Sequence, residues 1–333
     1  MHPPRLLITH GDVAGIGPEI IAKAWRELLA FGSPSVVGDP AWMRHGLDLI
    51  GSSAQVVPIR TAGDVNPSNS IIPVVTTKAP DLSGVTIGHV SSAAGRAAYD
   101  FLAEAIHQTQ FGNADAIVTC PLHKEGLRGA GLSYPGHTEI LAELTHAPRH
   151  AMLLHGDGIT VAHVTLHMSL RKAVDGITTR GVRDCIDLLV GIIPQLGRLS
   201  PRIGVCALNP HASDGGLFGD EEASIVAPAV AAARAEGIDA VGPLPADALW
   251  VKAAAGDFDG VVALYHDEGH IPMKMRSGRR LVNITAGLPI VRTSVAHGTA
   301  YDIAGRSLAD PTSLIEAARI AARLALARRP GAG

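Results

Sequence analysis

Aromatic residues are scarce: Phe, Trp and Tyr make up 4% of the 333 residues. The core must therefore be filled by Ala, Val, Ile and Leu. Charge is sparse and balanced, with 28 Lys and Arg against 31 Asp and Glu, a net charge of −3. That leaves no basic excess for a general nucleic-acid or membrane-surface binder. The three cysteines, Cys120, Cys185 and Cys206, are widely spaced and contain no CxxC pair. An odd, scattered set excludes a disulfide framework and makes a reducing compartment the expectation. Long apolar runs are missing as well. The longest stretch free of Asp, Glu, Lys and Arg is about 14 residues, short of the ~18 that suggest a membrane helix. Met1-His2-Pro3-Pro4-Arg5 lacks the charged-then-apolar pattern of a signal segment. A cytoplasmic protein without membrane or nucleic-acid partners is expected. There is no Gly-x-Ser-x-Gly elbow, GxGxxG fingerprint or P-loop lysine.

Hydrophobic residues reach 47%, enough for a large core, and 37 Gly with 22 Pro imply many tight turns. At roughly 150 residues per domain, the length suggests two domains. No repeat or low-complexity tract interrupts the chain. Short β-branched runs alternate with turns and Ala-rich helical stretches. Strands are expected at Leu6–Thr9, Ala116–Thr119, Thr160–Thr165, Ile203–Leu208 and Gly260–Leu264. Helices are expected from Pro18 to about Leu29 and over Thr138–Leu144, Ala223–Glu236 and Thr312–Arg328, with Arg329–Gly333 fraying. This order specifies an α/β fold with a mainly parallel sheet flanked by helices.

Sixteen histidines stand out. Three follow predicted strands: Leu166-His167, Asn209-Pro210-His211 and Tyr265-His266-Asp267. Ligands of open α/β sheets bind outside the carboxyl ends of strands. Three neutral imidazoles gathered there could hold a divalent metal. Taken singly, each could equally be a capping or packing residue. Tyr134-Pro135-Gly136-His137-Thr138-Glu139 reads as a turn into a helix that Thr138 can cap, with free N–H groups suited to an anion. Lys274, Asn283 and Arg292 suit a phosphorylated or carboxylated substrate, or an ordinary surface loop. Arg276, Arg279 and Arg280 read as a solvated loop. Gly11–Pro18 reads as a tight structural turn before a helix. In His297–Gly305, Asp302 could accept hydrogen bonds from a ribose diol. The cysteines sit in apolar settings and read as core.

Taken together, GDVAGIGPE at Gly11–Glu19, YPGHTE at Tyr134–Glu139, LNPHA at Leu208–Ala212, GPLPAD at Gly242–Asp247, YHDEGHIPMK at Tyr265–Lys274 and VNITAGLPIVRTSVAHGTAYDIAGR at Val282–Arg306 resemble one family. It is the 4-hydroxythreonine-4-phosphate dehydrogenase family with its D-threonate and D-erythronate 4-phosphate relatives. The last motif also looks like the adenosine-binding loop of isocitrate and isopropylmalate dehydrogenases, to which the family is related in fold. The resemblance implies a two-domain α/β/α enzyme: residues 1–130 with 285–333 on the dinucleotide side, and 131–284 as a central domain with the metal and dimer interface. It implies an NAD-dependent oxidation and decarboxylation of a four-carbon 4-phosphorylated 3-hydroxy acid, with pyridoxine biosynthesis as one setting. His167, His211 and His266 match ligands of a divalent metal (Zn, Mg, Co or Mn), in a site shared across a homodimer. His137, Thr138, Lys274, Asn283 and Arg292 match substrate-binding positions. Asp247 and Asp267 match catalytic acidic residues beside the metal. His297, Gly298, Thr299 and Asp302 would face the dinucleotide. Val13 and Ala296 depart from the family's usual Pro and Asp. Gly269-His270-Ile271-Pro272 is more like the threonate and erythronate branch. An aromatic cis-dihydrodiol carboxylate dehydrogenase, a metal-dependent hydrolase and a non-catalytic binder of phosphorylated acids are the alternatives.

Overall fold

A computed structural model of the chain describes residues 2–78 and 80–329. It divides into two compact units. The described residues up to His150, with those from Leu288 onward, form the first, and Ala151–Gly287 form the second. Strands are numbered in chain order: β1 (Arg5–Thr9), β2 (Ser33–Val37), β3 (Gln55–Ile59), β4 (Ile71–Val75), β5 (Ala116–Thr119), β6 (Ala151–Gly156), β7 (Ile159–His163), β8 (Ile203–Cys206), β9 (Ala240–Leu244), β10 (Gly260–Ala263), β11 (Val282–Ala286) and β12 (Arg292–Val295).

The first unit orders its strands β3-β4-β2-β1-β5-β12, every pair parallel. β1, β5 and β12 are buried along nearly their whole length, and they read as continuous apolar runs because helices cover both faces. The chain leaves β1 toward β2 on one side, while β5 lies on the other. The β1/β5 boundary is therefore a switch point, where open α/β sheets form a crevice at the carboxyl ends. The helix Gly17–Phe31 has Pro18 in its first turn and a buried Glu19, which pairs with Lys23 at 2.9 Å and accepts from the Ala309 N–H at 2.8 Å.

The second unit orders its strands β11-β6-β7-β10-β8-β9. β6 runs antiparallel to both β11 and β7, and the other pairs are parallel. Both units are α/β with mainly parallel sheets. No helix of the described residues is long and apolar enough to cross a membrane.

Several expectations from the sequence need correction. Residues 131–150, expected in the central domain, pack with the first unit. Ile140 and Leu141 of the helix His137–Leu144 are fully buried in a cluster with Phe101, Leu102 and Leu127. Of the segment expected as an Arg-rich loop, Arg276 lies in the last turn of the helix His266–Ser277, which holds Pro272 inside, and Arg279 and Arg280 lie in a 3-10 turn after it. Pro272 lacks the N–H for one helical hydrogen bond, but the burial of Gly269, His270 and Met273 holds the segment helical. Arg276 donates to the Ala254 carbonyl and Arg280 pairs with Asp157, so neither is a free loop residue. In the expected frayed tail, Arg329 donates to the His2 carbonyl at 2.6 Å and to Asp115. Residues 330–333 lie outside the described residues.

Candidate active site

In the first unit, three neighbouring parallel strands, β1, β5 and β12, deliver three loops at their carboxyl ends. They are Gly11–Ile16, Cys120–His123 and Ala296–Gly305. The first two touch closely. A Cβ at Gly11, whose φ is +64°, would stand 2.2 Å from the Pro121 carbonyl oxygen. Only glycine fits there, which accounts for the Gly11 turn. The third loop keeps His297, Gly298 and Asp302 exposed while Thr299 is buried. An exposed carboxylate and open backbone beside a glycine turn fit the adenosine end of a dinucleotide.

Arg292 opens β12, is 3% exposed and donates through Nη2 to the Thr119 hydroxyl at 2.6 Å. Burial pulls its guanidinium down to about 9, with Glu139 opposing the shift, so it is a cation at neutral pH. His137 lies beside it. Burial, and then the Arg292 charge, hold its imidazole well below the ordinary range, while a hydrogen bond to the Cys120 backbone opposes this. His137 is therefore neutral at pH 7. Thr138 does not cap the helix as expected: Gly136 is the N-cap, His137 begins the helix, and Thr138 lies within its first turn. A buried Arg fork, a neutral imidazole and a helix start form a cradle for an oxyanion.

In the second unit, the histidine-bearing segments follow β7, β10 and β8, which are neighbours in that order and parallel. His167 and His266 have ring centroids 5.9 Å apart. Both line a cavity of about 540 Å³ together with Tyr265, Asp267 and Met168. Asp267 Oδ1 lies 2.6 Å from His266 Nδ1. A carboxylate on Nδ1 fixes the ring and leaves Nε2 for a ligand. His211 stands apart from this pair. It is exposed, with φ of +54°, and opens a left-handed run through Asp214. Buried Glu222 holds that run, accepting from the Asn209 backbone at 2.7 Å, from the Asn209 amide and from the Ser213 hydroxyl. Among the described residues, no three His, Cys, Asp or Glu side chains stand close enough together to hold a metal ion. The donor chemistry of His167, His211 and His266 suits a divalent metal, but the third imidazole is not gathered with the other two.

Asp247 is exposed in the first turn of the helix Ala246–Ala255, where its Oδ1 accepts from the Ala248 N–H at 2.8 Å. It does not line the cavity, whereas Asp267 does. Lys274 is exposed on the helix His266–Ser277, and Asn283 is partly buried on β11. All three cysteines are buried, and burial pushes their thiols up, so none is a thiolate nucleophile.

Three further groups of side chains carry no site signal in the sequence alone. His270 stacks on His266 with centroids 3.7 Å apart, and its Nδ1 meets His163 Nε2 at 3.1 Å. Burial pulls His163 down to about 3 and His270 to about 4, with neighbouring imidazoles adding to the effect. The signal for His270 was its i, i+4 spacing from His266, visible only once the segment is known to be helical. Glu268, which burial pushes up to about 7, accepts from the Leu264 N–H and bonds with Cys206 beneath the same strand end. In the first unit, Asp12 and Tyr301 are hydrogen-bonded at 2.8 Å across 289 residues, a pairing no local pattern announces.

Comparison with known proteins agrees with this architecture. The family described as pyridoxal phosphate biosynthetic protein PdxA matches residues 30–321. A 4-hydroxythreonine-4-phosphate dehydrogenase of Beijerinckia indica is 47% identical over 324 residues, covering 97% of this chain and 95% of the relative. A D-threonate 4-phosphate dehydrogenase of Cupriavidus necator is 43% identical, covering 98% of each chain. The crystal structure of a 4-hydroxythreonine-4-phosphate dehydrogenase from Klebsiella pneumoniae superposes with a TM-score of 0.87 at 40% identity, covering 97% of this chain and 99% of that one. The chain belongs to the PdxA family of pyridoxal phosphate biosynthetic proteins.

Proposed function

We propose that this chain is an NAD-dependent dehydrogenase that oxidises and decarboxylates a four-carbon 4-phosphorylated 3-hydroxy acid. The candidates are 4-hydroxythreonine 4-phosphate and D-threonate or D-erythronate 4-phosphate. The observation that carries this reading is the buried Arg292, bonded to Thr119 beside a neutral His137 at a helix start. Its support is the named activity of relatives more than 40% identical over nearly the whole chain.

The C3 hydride passes to NAD⁺ and the hydroxyl proton to solvent; the resulting β-keto acid then loses CO₂, and the carbon left behind takes up a proton. His167, His211 and His266 would be the ligands of a divalent metal, which would supply Lewis-acid chemistry toward the substrate oxygen on C3. Asp267 holds the His266 ring in one tautomer. His137, Thr138 and Arg292 of the first unit bind the phosphate on C4, an ester that does not itself react, so its binding energy serves orientation; Lys274 and Asn283 are the substrate-binding candidates of the second unit. Arg292 presents a planar fork that matches two phosphate oxygens. His297, Gly298, Thr299 and Asp302 face the adenosine of the cofactor, with Asp302 accepting from the ribose. Asp267, which lines the cavity, is the acidic residue that acts beside the reacting carbons. A homodimer is part of the reading: Met168, Leu170, Leu217 and Phe218 of the second unit are large apolar side chains left 48–72% exposed, near the loops that carry His167 and His211 in sequence.

The test is NADH formation over a panel: the three 4-phosphates, their dephosphorylated analogues and an aromatic cis-dihydrodiol acid. Turnover confined to phosphorylated four-carbon acids is expected, and the 4-phosphate preferred identifies the branch. Turnover of the diol acid alone would replace this reading with the aromatic one.

A further inference from the structure

We propose that Asp12 and Tyr301 are positioning residues whose hydrogen bond fixes the Ala296–Gly305 loop against the Gly11–Gly17 turn, so that the loop is presented in one shape to the adenosine half of the nicotinamide cofactor. The proposal rests on the dinucleotide reading above and adds two residues that the reading does not use.

The observations all lie within the first unit. Asp12 is fully buried, yet it has no basic side chain hydrogen-bonded to it among the described residues. One carboxylate oxygen accepts from the Ala14 N–H at 2.9 Å and the other from the Tyr301 hydroxyl at 2.8 Å. The Tyr301 ring stacks on His123 of the β5 loop, with centroids 4.9 Å apart and planes 16° apart. One phenol thus ties together the loops that follow β1, β5 and β12. The backbones close the same joint. The Ile16 N–H donates to the Thr299 carbonyl at 3.1 Å, and a Cβ at Gly15 would stand 2.8 Å from that oxygen. The Gly88 N–H donates to the Ala14 carbonyl at 2.8 Å, and a Cβ there would meet the Tyr301 carbonyl at 2.9 Å. A buried carboxylate is costly unless its oxygens are satisfied, so the phenol is where the loop is pinned. Asp302 is the next residue after Tyr301 and is exposed. Its aim therefore depends on where Tyr301 is held.

The experiment titrates purified full-length protein with NAD and then measures steady-state kinetics for wild type, Tyr301→Phe, Asp12→Asn and Asp12→Ala. Losing one hydrogen bond to a charged group corresponds to about a tenfold change. Tyr301→Phe and Asp12→Ala are expected to raise the NAD Kd and the NAD KM by about that factor. The KM for the phosphorylated substrate and kcat at saturating NAD should stay within about twofold. Asp12→Asn can keep both contacts, accepting from Ala14 and donating its amide to the phenol oxygen, and should bind NAD nearly as well as wild type. Amide hydrogen exchange on wild type carries the test if a variant fails to fold: NAD should protect 11–17 and 297–305 together. An unchanged NAD Kd in folded Tyr301→Phe, an equal rise in both KM values, or protection of neither segment would overturn the proposal. Wild-type protein that does not bind NAD at all would overturn the dinucleotide reading itself, and that result appears before any variant is made.

Discussion

A guanidinium that is 3% exposed and hydrogen-bonded to Thr119 has little freedom to reorient, so its geometry is set before any ligand arrives. Arg292→Lys keeps the charge and loses the fork. The expected result is about 10- to 150-fold weaker binding of a 4-phosphorylated acid, the range for one charge-assisted hydrogen bond. The dephosphorylated analogue should be almost unaffected. Equal weakening of both would show that Arg292 does not read phosphate. His10 carries a different prediction at this scale. It is fully buried, packs edge-on against Phe101 with centroids 5.9 Å apart, and accepts at Nδ1 from the Asp39 N–H. Burial pulls it down to about 3, below its ordinary value of 6.5. The folded state therefore binds the neutral ring, and the unfolded state takes up the proton first as pH falls. Stability from His10 is complete above pH 6.5 and is lost between there and about pH 3, at up to ~1.4 kcal/mol per pH unit. Urea unfolding at several pH values should show a steeper acid loss in wild type than in His10→Gln. Parallel curves would place His10 outside the acid response.

At the scale of elements, the ends of parallel strands carry the candidate site residues. β7, β10 and β8 are adjacent and lead to His167, His266 and His211. Alanine at any of the three should remove bound metal and activity while circular dichroism stays unchanged. Wild-type metal content in all three variants would refute the ligand assignment. The β12 loop carries Asp302, whose carboxylate should accept from a ribose 2′-hydroxyl and repel a 2′-phosphate. NAD should be preferred to NADP in kcat/KM, and Asp302→Asn should narrow the gap. Equal use of both by wild type would place Asp302 elsewhere. Part of the element set was legible in the sequence, while the amphipathic helices Ser92–Gln110 and Thr179–Ile192 were not read from it. β1, β5, β8, β10 and the helix Thr312–Ala327 lie within a residue or two of their expected ends. The helix His266–Ser277 was not legible, because Gly269 and Pro272 speak locally for a turn, and only burial overrides them. The strands β6 and β11 were missed because antiparallel pairing is set by tertiary register that no local run encodes.

At the scale of the molecule, the family was legible in the motifs and the boundary between the units was not. Residues 131–150 join the first unit because Ile140 and Leu141 are buried there, a long-range fact invisible to composition. The same limit hid Asp12–Tyr301 and His163–His270, partners more than a hundred residues apart. What the whole chain is held to do is couple an oxidation to loss of CO₂ on a substrate that keeps its phosphate. The most direct measurement of that claim is a product balance in one reaction vessel, with NAD, a divalent metal salt and the 4-phosphorylated acid. One NADH and one CO₂ per substrate consumed are expected, with no inorganic phosphate released and with both products abolished by a chelator. Release of inorganic phosphate without NADH would contradict the claim in favour of a hydrolase, and NADH formed without CO₂ would contradict the decarboxylation.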